Sequence, residues 1–173
     1  WIFLRPAGEQ RIRHKEKIMP PAKPAYQDSV YLFFTLIVFL FASCFFQIFT
    51  NVSAYYRNNL SFSERFIGLL GATNGIIIAL VEMVIVFKLE GRRSGTYYIT
   101  RGVMLCGFSF LLLGIFPGTH LLALLMIVLF TLGEMLAMPF MNSFWISRSS
   151  AGNRGQYAAL YAVAWAAAQT LGP

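Results

Sequence analysis

LLALLMIVLFTLGEMLAMPFMNSFWI, residues 121–146, is an apolar run broken by one charge, Glu134. Wound as an α-helix, a run of that length rises about 39 Å, enough to cross the ~30 Å hydrocarbon core of a bilayer. Glu134 stands about 14 residues, or ~21 Å of helix rise, from the polar residues at either end, His120 and Arg148. Its carboxyl group is therefore expected at the membrane midplane. A charge there is costly unless it faces a protein interior or a water-filled path, so an ionisable residue at that depth marks a functional position.

The composition of the whole chain agrees with this reading. It is 57% hydrophobic and 12% charged, with a mean hydropathy of +0.62, whereas soluble domains carry about 25% charged residues. Continuous Leu/Ile/Phe/Ala-rich runs are predicted to form helices at about residues 30–56, 66–87, 97–116, 121–146 and 157–173. The first four reach the ~20 residues that a spanning helix needs, and none shows the alternation of a barrel strand. The expected fold class is thus an all-α integral membrane bundle with five spans. The chain opens at Trp1 without an initiator Met and stops at Gly172-Pro173 inside a helical pattern, so it is expected to be a fragment of a longer protein. No signal peptide with a cleavage site is recognisable. Cys44 and Cys106 fall inside spans, without CxxC spacing, and are expected as small buried thiols.

The net charge of +7 is explained by membrane topology rather than by nucleic-acid binding. Arg5, Arg11, Arg13, Lys15, Lys17 and Lys23 precede the first span; Lys88, Arg92, Arg93 and Arg101 surround the loop after the second; Arg148 and Arg154 follow the fourth. Only Arg57 and Arg65 of the 14 basic residues lie across the membrane. The positive-inside rule then makes the N-terminal segment and the Lys88 and Arg148 loops cytoplasmic. Residues 1–28 read as a cytoplasmic basic linker and residues 29–173 as the transmembrane bundle. Met19-Pro20-Pro21-Ala22-Lys23-Pro24 suits an extended linker, and Arg11 to Lys17 is either a solvated stretch or one that touches anionic lipid.

Helical spacing predicts which spans line a polar path. Ser43, Gln47, Asn51 and Tyr55 recur every four residues and share one face of the first helix, either as interhelical hydrogen-bonding groups or as a cavity wall. On the second, Asn74 and Glu82 align, beside Gly71 and Gly75 in a small-xxx-small pattern expected at a helix contact. Glu82 lies six residues before Lys88, and reads as an interfacial charge or as a second coupling carboxylate. The fourth helix adds Pro139, Met138, Asn142 and Trp145 beyond Glu134. The fifth carries Tyr157, Tyr161, Trp165 and Gln169 on one line against alanines, facing lipid or a cavity. The third is bland and is expected at the periphery. Gly71, Gly75, Gly107, Gly133 and the alanines from Ala158 to Ala168 are expected to tolerate bulk poorly. With His14 in the linker and His120 at a turn, and no HExxH or GxSxG motif, no catalytic constellation is present. No cofactor or metal is expected.

Thr131-Leu132-Gly133-Glu134-Met135 followed by Pro139 resembles the Gly-Glu…Pro pattern in the tenth helix of drug/proton antiporters and proton-coupled peptide transporters of the major facilitator superfamily. Arg154-Gly155-Gln156-Tyr157 leading to Leu171-Gly172-Pro173 is similar to the eleventh helix of bacterial multidrug-efflux members. Asn74-Gly75 and Lys88-Leu89-Glu90-Gly91-Arg92-Arg93 resemble the eighth helix and a degenerate copy of the family's loop motif; the copy departs from the usual pattern, so no gating role is attached to it. The resemblance runs from about Ser29 to Pro173. It implies helices seven to eleven of a twelve-helix fold, with the N-terminal six-helix half missing and residues 1–28 linking the halves. It further implies alternating access, a proton exchanged at Glu134, with Glu82 as a second candidate, and a small-molecule cavity walled by Gln47, Asn51, Tyr55, Asn74, Asn142, Tyr161, Trp165 and Gln169. Apolar or cationic compounds exported across a bacterial inner membrane would be the cargo. Proton-coupled uptake of peptides or metabolites, and a non-transporting half-transporter, are the alternatives.

Overall fold

The computed structural model describes residues 24–115 and 118–172. The basic residues from Arg5 to Lys23, the Pro117 part of the third turn and Pro173 lie outside them. After a single 3-10 turn, Ala25–Gln27, the described chain is helical throughout: α1 Ser29–Gln47, a π-helical segment Ile48–Val52, α2 Ser53–Asn58, α3 Glu64–Leu89, α4 Gly95–Ile115, α5 His120–Arg148 and α6 Arg154–Leu171. No strand occurs among the described residues. Four rods are long and apolar enough to cross a bilayer: α1 with α2 (Ser29–Asn58), α3, α4 and α5. The fifth predicted span is the helix α6, whose apolar character comes mainly from alanine.

Short polar residues set where the helices begin. The Asp28 carboxylate accepts from the Tyr31 N–H at 3.2 Å and caps α1. Ser63 Oγ accepts from Phe66 N–H at 3.3 Å at the head of α3, and Thr119 Oγ1 from Leu122 N–H at 3.2 Å at the head of α5. Each satisfies one of the orphan donors of a helix start. Gly91, at φ 75°, and Gly118, at φ 118°, supply the left-handed backbone of the turns after α3 and before α5.

The first span differs from its sequence reading in one respect. It is a single rod, but Ile48–Val52 is wound as a π-helix between α1 and α2, and Ser53 Oγ donates five residues back, to Ile48 O at 3.1 Å. The extra residue per turn shifts the register of α2 against that of α1, while Gln47 and Asn51 still share a face, with Asn51 Nδ2 donating to Gln47 Oε1.

The central helix is α5, which packs against α3, α4 and α6, while α6 packs along α1. Its fully buried side chains, Met126, Phe130, Thr131, Met135 and Met141, form the middle of the core. Phe130 lies between Phe45 of α1 and Phe110 of α4, with ring centroids 5.8 Å away on each side. The tightest contact is between α4 and α5. A Cβ on Gly102 would stand 2.5 Å from Gly133 O and 2.6 Å from Ala137 N; one on Gly133 would stand 2.7 Å from Gly102 O. Two glycines thus let backbone meet backbone. Gly133 was expected at such a contact, whereas Gly102 was not singled out. The expectation for Gly71, Gly75 and Gly107 is overturned: nothing lies within 4 Å of a Cβ at any of them, because α3 meets α5 through Leu70 and Asn74 and α4 meets it through Gly102 and Cys106. Among the alanines, Ala164 and Ala168 are buried and Ala162 is exposed. Cys106 is buried as expected, but Cys44 is exposed on α1.

Candidate functional site

Glu134 sits on α5 one turn past Phe130 and is buried, with 8% of its surface accessible. Opposite it, α3 carries Asn74, 7% accessible. The Asn74 amide donates through Nδ2 to Glu134 Oε2 at 3.0 Å and to Thr131 Oγ1 at 2.9 Å. Thr131, three residues before Glu134 on the same face of α5, is fully buried and spends its own proton on Ile127 O at 2.7 Å. Both hydrogens of the Asn74 amide are therefore used, one fixing a Glu134 oxygen and the other anchoring the amide on Thr131. Among the described residues no Lys or Arg lies within ion-pair distance of Glu134. The carboxyl group is held by a neutral donor in the middle of an apolar helix. It can lose or gain a proton without breaking an ion pair.

Glu82 is half-buried on α3, two turns beyond Asn74. A cavity of about 50 Å³, bounded by Val52, Tyr56, Leu70 and Ile127, reaches Asn74 between the π segment, α3 and α5.

The other residues marked in the sequence gather elsewhere. Asn51 Nδ2 donates to Gln47 Oε1 along the first rod, and Gln47 donates through Nε2 to Gly172 O, which ties that rod to the end of α6. Tyr55 is half-buried beside Tyr56. On α5 and α6, Trp145, Tyr161 and Trp165 form an aromatic ladder, with centroids 6.1 Å and 6.3 Å apart. Asn142 accepts from Trp145 Nε1 at 3.3 Å at one end of it, and Phe45 closes on Trp165 at 5.8 Å from the other side. Gln169 is exposed. Three groups result: an acid cluster between α3 and α5, an amide chain between α1 and α6, and an aromatic wall on α5 and α6.

Thr131 was quoted in the sequence motif but given no role; its signal was its place three residues before Glu134. Asp28 carries no signal of its own in the sequence. Its two oxygens accept from Arg148 Nε and Nη2, each at 2.8 Å, and from Tyr157 O–H at 2.9 Å. Tyr31 O–H donates to Tyr157 O at 2.5 Å, and Ala25 N–H donates to Gln156 Oε1 at 3.0 Å. One end of the bundle is thereby clamped, with the head of α1 tied to the foot of α5 and the head of α6.

The sequence profile of the Major Facilitator Superfamily matches residues 1–173. The chain belongs to the major facilitator superfamily. A comparison with characterised proteins and one with solved structures returned no match. Members of the superfamily are membrane transporters of small molecules rather than enzymes, and the apolar helices α1 to α5 are those of an integral membrane protein.

Proposed function

We propose that this chain is part of a proton-coupled secondary transporter that exports apolar or cationic compounds by alternating access, with Glu134 as the residue that exchanges the proton. One observation carries the reading: a buried carboxyl group at mid-helix, bound by Asn74 beside Thr131 and with no basic partner among the described residues. Such a group in a membrane interior is expensive to keep unless it works. Asn74 fixes it and Glu82 stands next in line on α3. The aromatic wall of Tyr161 and Trp165, with Asn142 and Gln169, offers π faces to a lipophilic cation, while Gln47, Asn51 and Tyr55 bound the α1 side.

In this reading residues 1–28 link two six-helix halves and residues 29–173 form most of the second. The clamped end with Asp28, Lys88 and Arg148 faces the cytoplasm of a bacterial cell. The test uses the complete protein in inverted vesicles. An imposed proton gradient should drive a fluorescent lipophilic cation into the lumen. If the cation does not move and a dipeptide is instead accumulated by right-side-out vesicles, the protein is an uptake carrier and the export reading is wrong.

A further inference from the structure

Two guanidinium groups share one aromatic ring on α4. Arg93 and Arg101 lie over Tyr97, at 5.5 Å and 5.4 Å from its centroid. Spacing brings them there, since residues four apart stack along a helix and Arg93 stands just ahead of its first turn. Both arginines are exposed, as is Tyr97 at 41%. Among the described residues neither is in an ion pair; the pairs formed are Arg57 with Glu64 and Arg148 with Asp28. Lys88 at the end of α3 and Arg92 in the adjoining loop add charge, against the single acid Glu90.

The same line of α4 continues as an apolar strip. Met104, Phe108, Leu111 and Ile115 follow in steps of four, three and four, and are 62%, 51%, 61% and 64% exposed. The opposite face, with Gly102, Cys106 and Ser109, is buried, and α5 is the helix it meets. From Arg101 to Ile115 the strip is about 21 Å long, close to the depth of one and a half leaflets of hydrocarbon. A tyrosine at the cationic end suits the membrane–water boundary, where such rings are enriched.

We propose that this outer face of α4 is a binding site for an anionic phospholipid. The phosphodiester is held between the Arg93 and Arg101 guanidiniums, whose planar forks match phosphate oxygens, and the acyl chains lie along Met104, Phe108 and Leu111. The anion relieves the repulsion of two like charges held on one ring. Phosphatidylglycerol is preferred over phosphatidylcholine because it brings a net negative charge to the Arg93 and Arg101 guanidiniums, whereas the choline cation of the latter cancels the charge of its own phosphate.

The test measures association of chain-labelled phosphatidylglycerol and phosphatidylcholine with the purified complete protein in phosphatidylcholine nanodiscs. A basic residue at a membrane surface strengthens anionic-lipid association about fivefold. R93Q/R101Q, two exposed substitutions, should keep the elution and helix content of the wild type and lose the phosphatidylglycerol preference by roughly tenfold or more. K88Q/R92Q removes as much charge from the loop but leaves the Tyr97 cluster, and should retain most of the preference. Equal losses in the two variants would mean diffuse attraction and overturn the site. Displacement of the lipid by soluble glycerophosphoglycerol at equal concentration would make it a free-anion site and overturn the role of the apolar strip.

Discussion

Asn74 spends both amide hydrogens on α5, one on Glu134 and one on Thr131, and so fixes a carboxyl oxygen that would otherwise be free to turn. Interhelical hydrogen bonds of this kind contribute about 0.6–2 kcal/mol each in a membrane, so the value of Asn74 lies more in placement than in stability. Asp28 is the contrasting acid. The Arg148 guanidinium, bonded to it through two nitrogens, holds its carboxyl down to about 2 from an ordinary 3.8. Because the folded value is depressed, the contribution of the pair is whole above the ordinary value and is lost only as pH falls from there towards 2. Asp28→Asn should therefore cost about 1 kcal/mol, as for a bidentate pair near a surface, read as a lowered melting temperature of the solubilised protein at neutral pH. The shape of the transport–pH profile between about pH 5 and 8 should not move. A shifted profile would show that Asp28, and not Glu134 alone, takes part in proton coupling.

Among the elements, the contact of α4 with α5 depends on Gly102 and Gly133, where an added methyl meets backbone at 2.5–2.7 Å. Gly102→Ala or Gly133→Ala should destabilise the bundle by roughly 1–3 kcal/mol, since backbone rather than a flexible side chain would have to give way. Gly71→Ala and Gly75→Ala meet open space and should be neutral or gain up to about 1 kcal/mol in helix propensity. Scanning fluorimetry of the four purified variants checks this. A loss at Gly71 or Gly75 as large as at Gly102 would contradict it. The all-helical class was legible in the sequence because apolar runs of spanning length allow few other structures, and the place of Glu134 in such a run marked it. The partners were not legible. A helix shows on its own which of its residues share a face, but not which face another helix will meet, so Gly71 and Gly75 were read as a contact and Gly102 was missed. The π segment escaped for a related reason, since one extra residue in Ile48–Val52 leaves no mark on hydropathy. Nothing in the sequence marks Asp28, because its partner Arg148 is 120 residues away.

At the scale of the whole molecule, the orientation proposed from the basic loops puts Lys88, Arg92, Arg93, Arg148 and Arg154 inside and Arg57 and Arg65 outside. Single cysteines at Ser94 and at Asn59, in a background without Cys44 and Cys106, should be labelled by an impermeant maleimide from the cytoplasmic and the external side respectively. The opposite pattern would invert the topology. The clamp of Asp28 with Arg148 and Tyr157 holds α1, α5 and α6 together at one end of the bundle, so in the proposed cycle these helices are expected to move as one body while the acid cluster faces alternate sides. The most direct test of that cycle compares the wild-type protein with Glu134→Gln in proteoliposomes, measuring substrate exchange at equal pH and substrate movement driven by a proton gradient. The account predicts that Glu134→Gln keeps exchange and loses at least about tenfold of the gradient-driven rate, as when a coupling proton can no longer be carried. Gradient-driven movement undiminished in Glu134→Gln would contradict it.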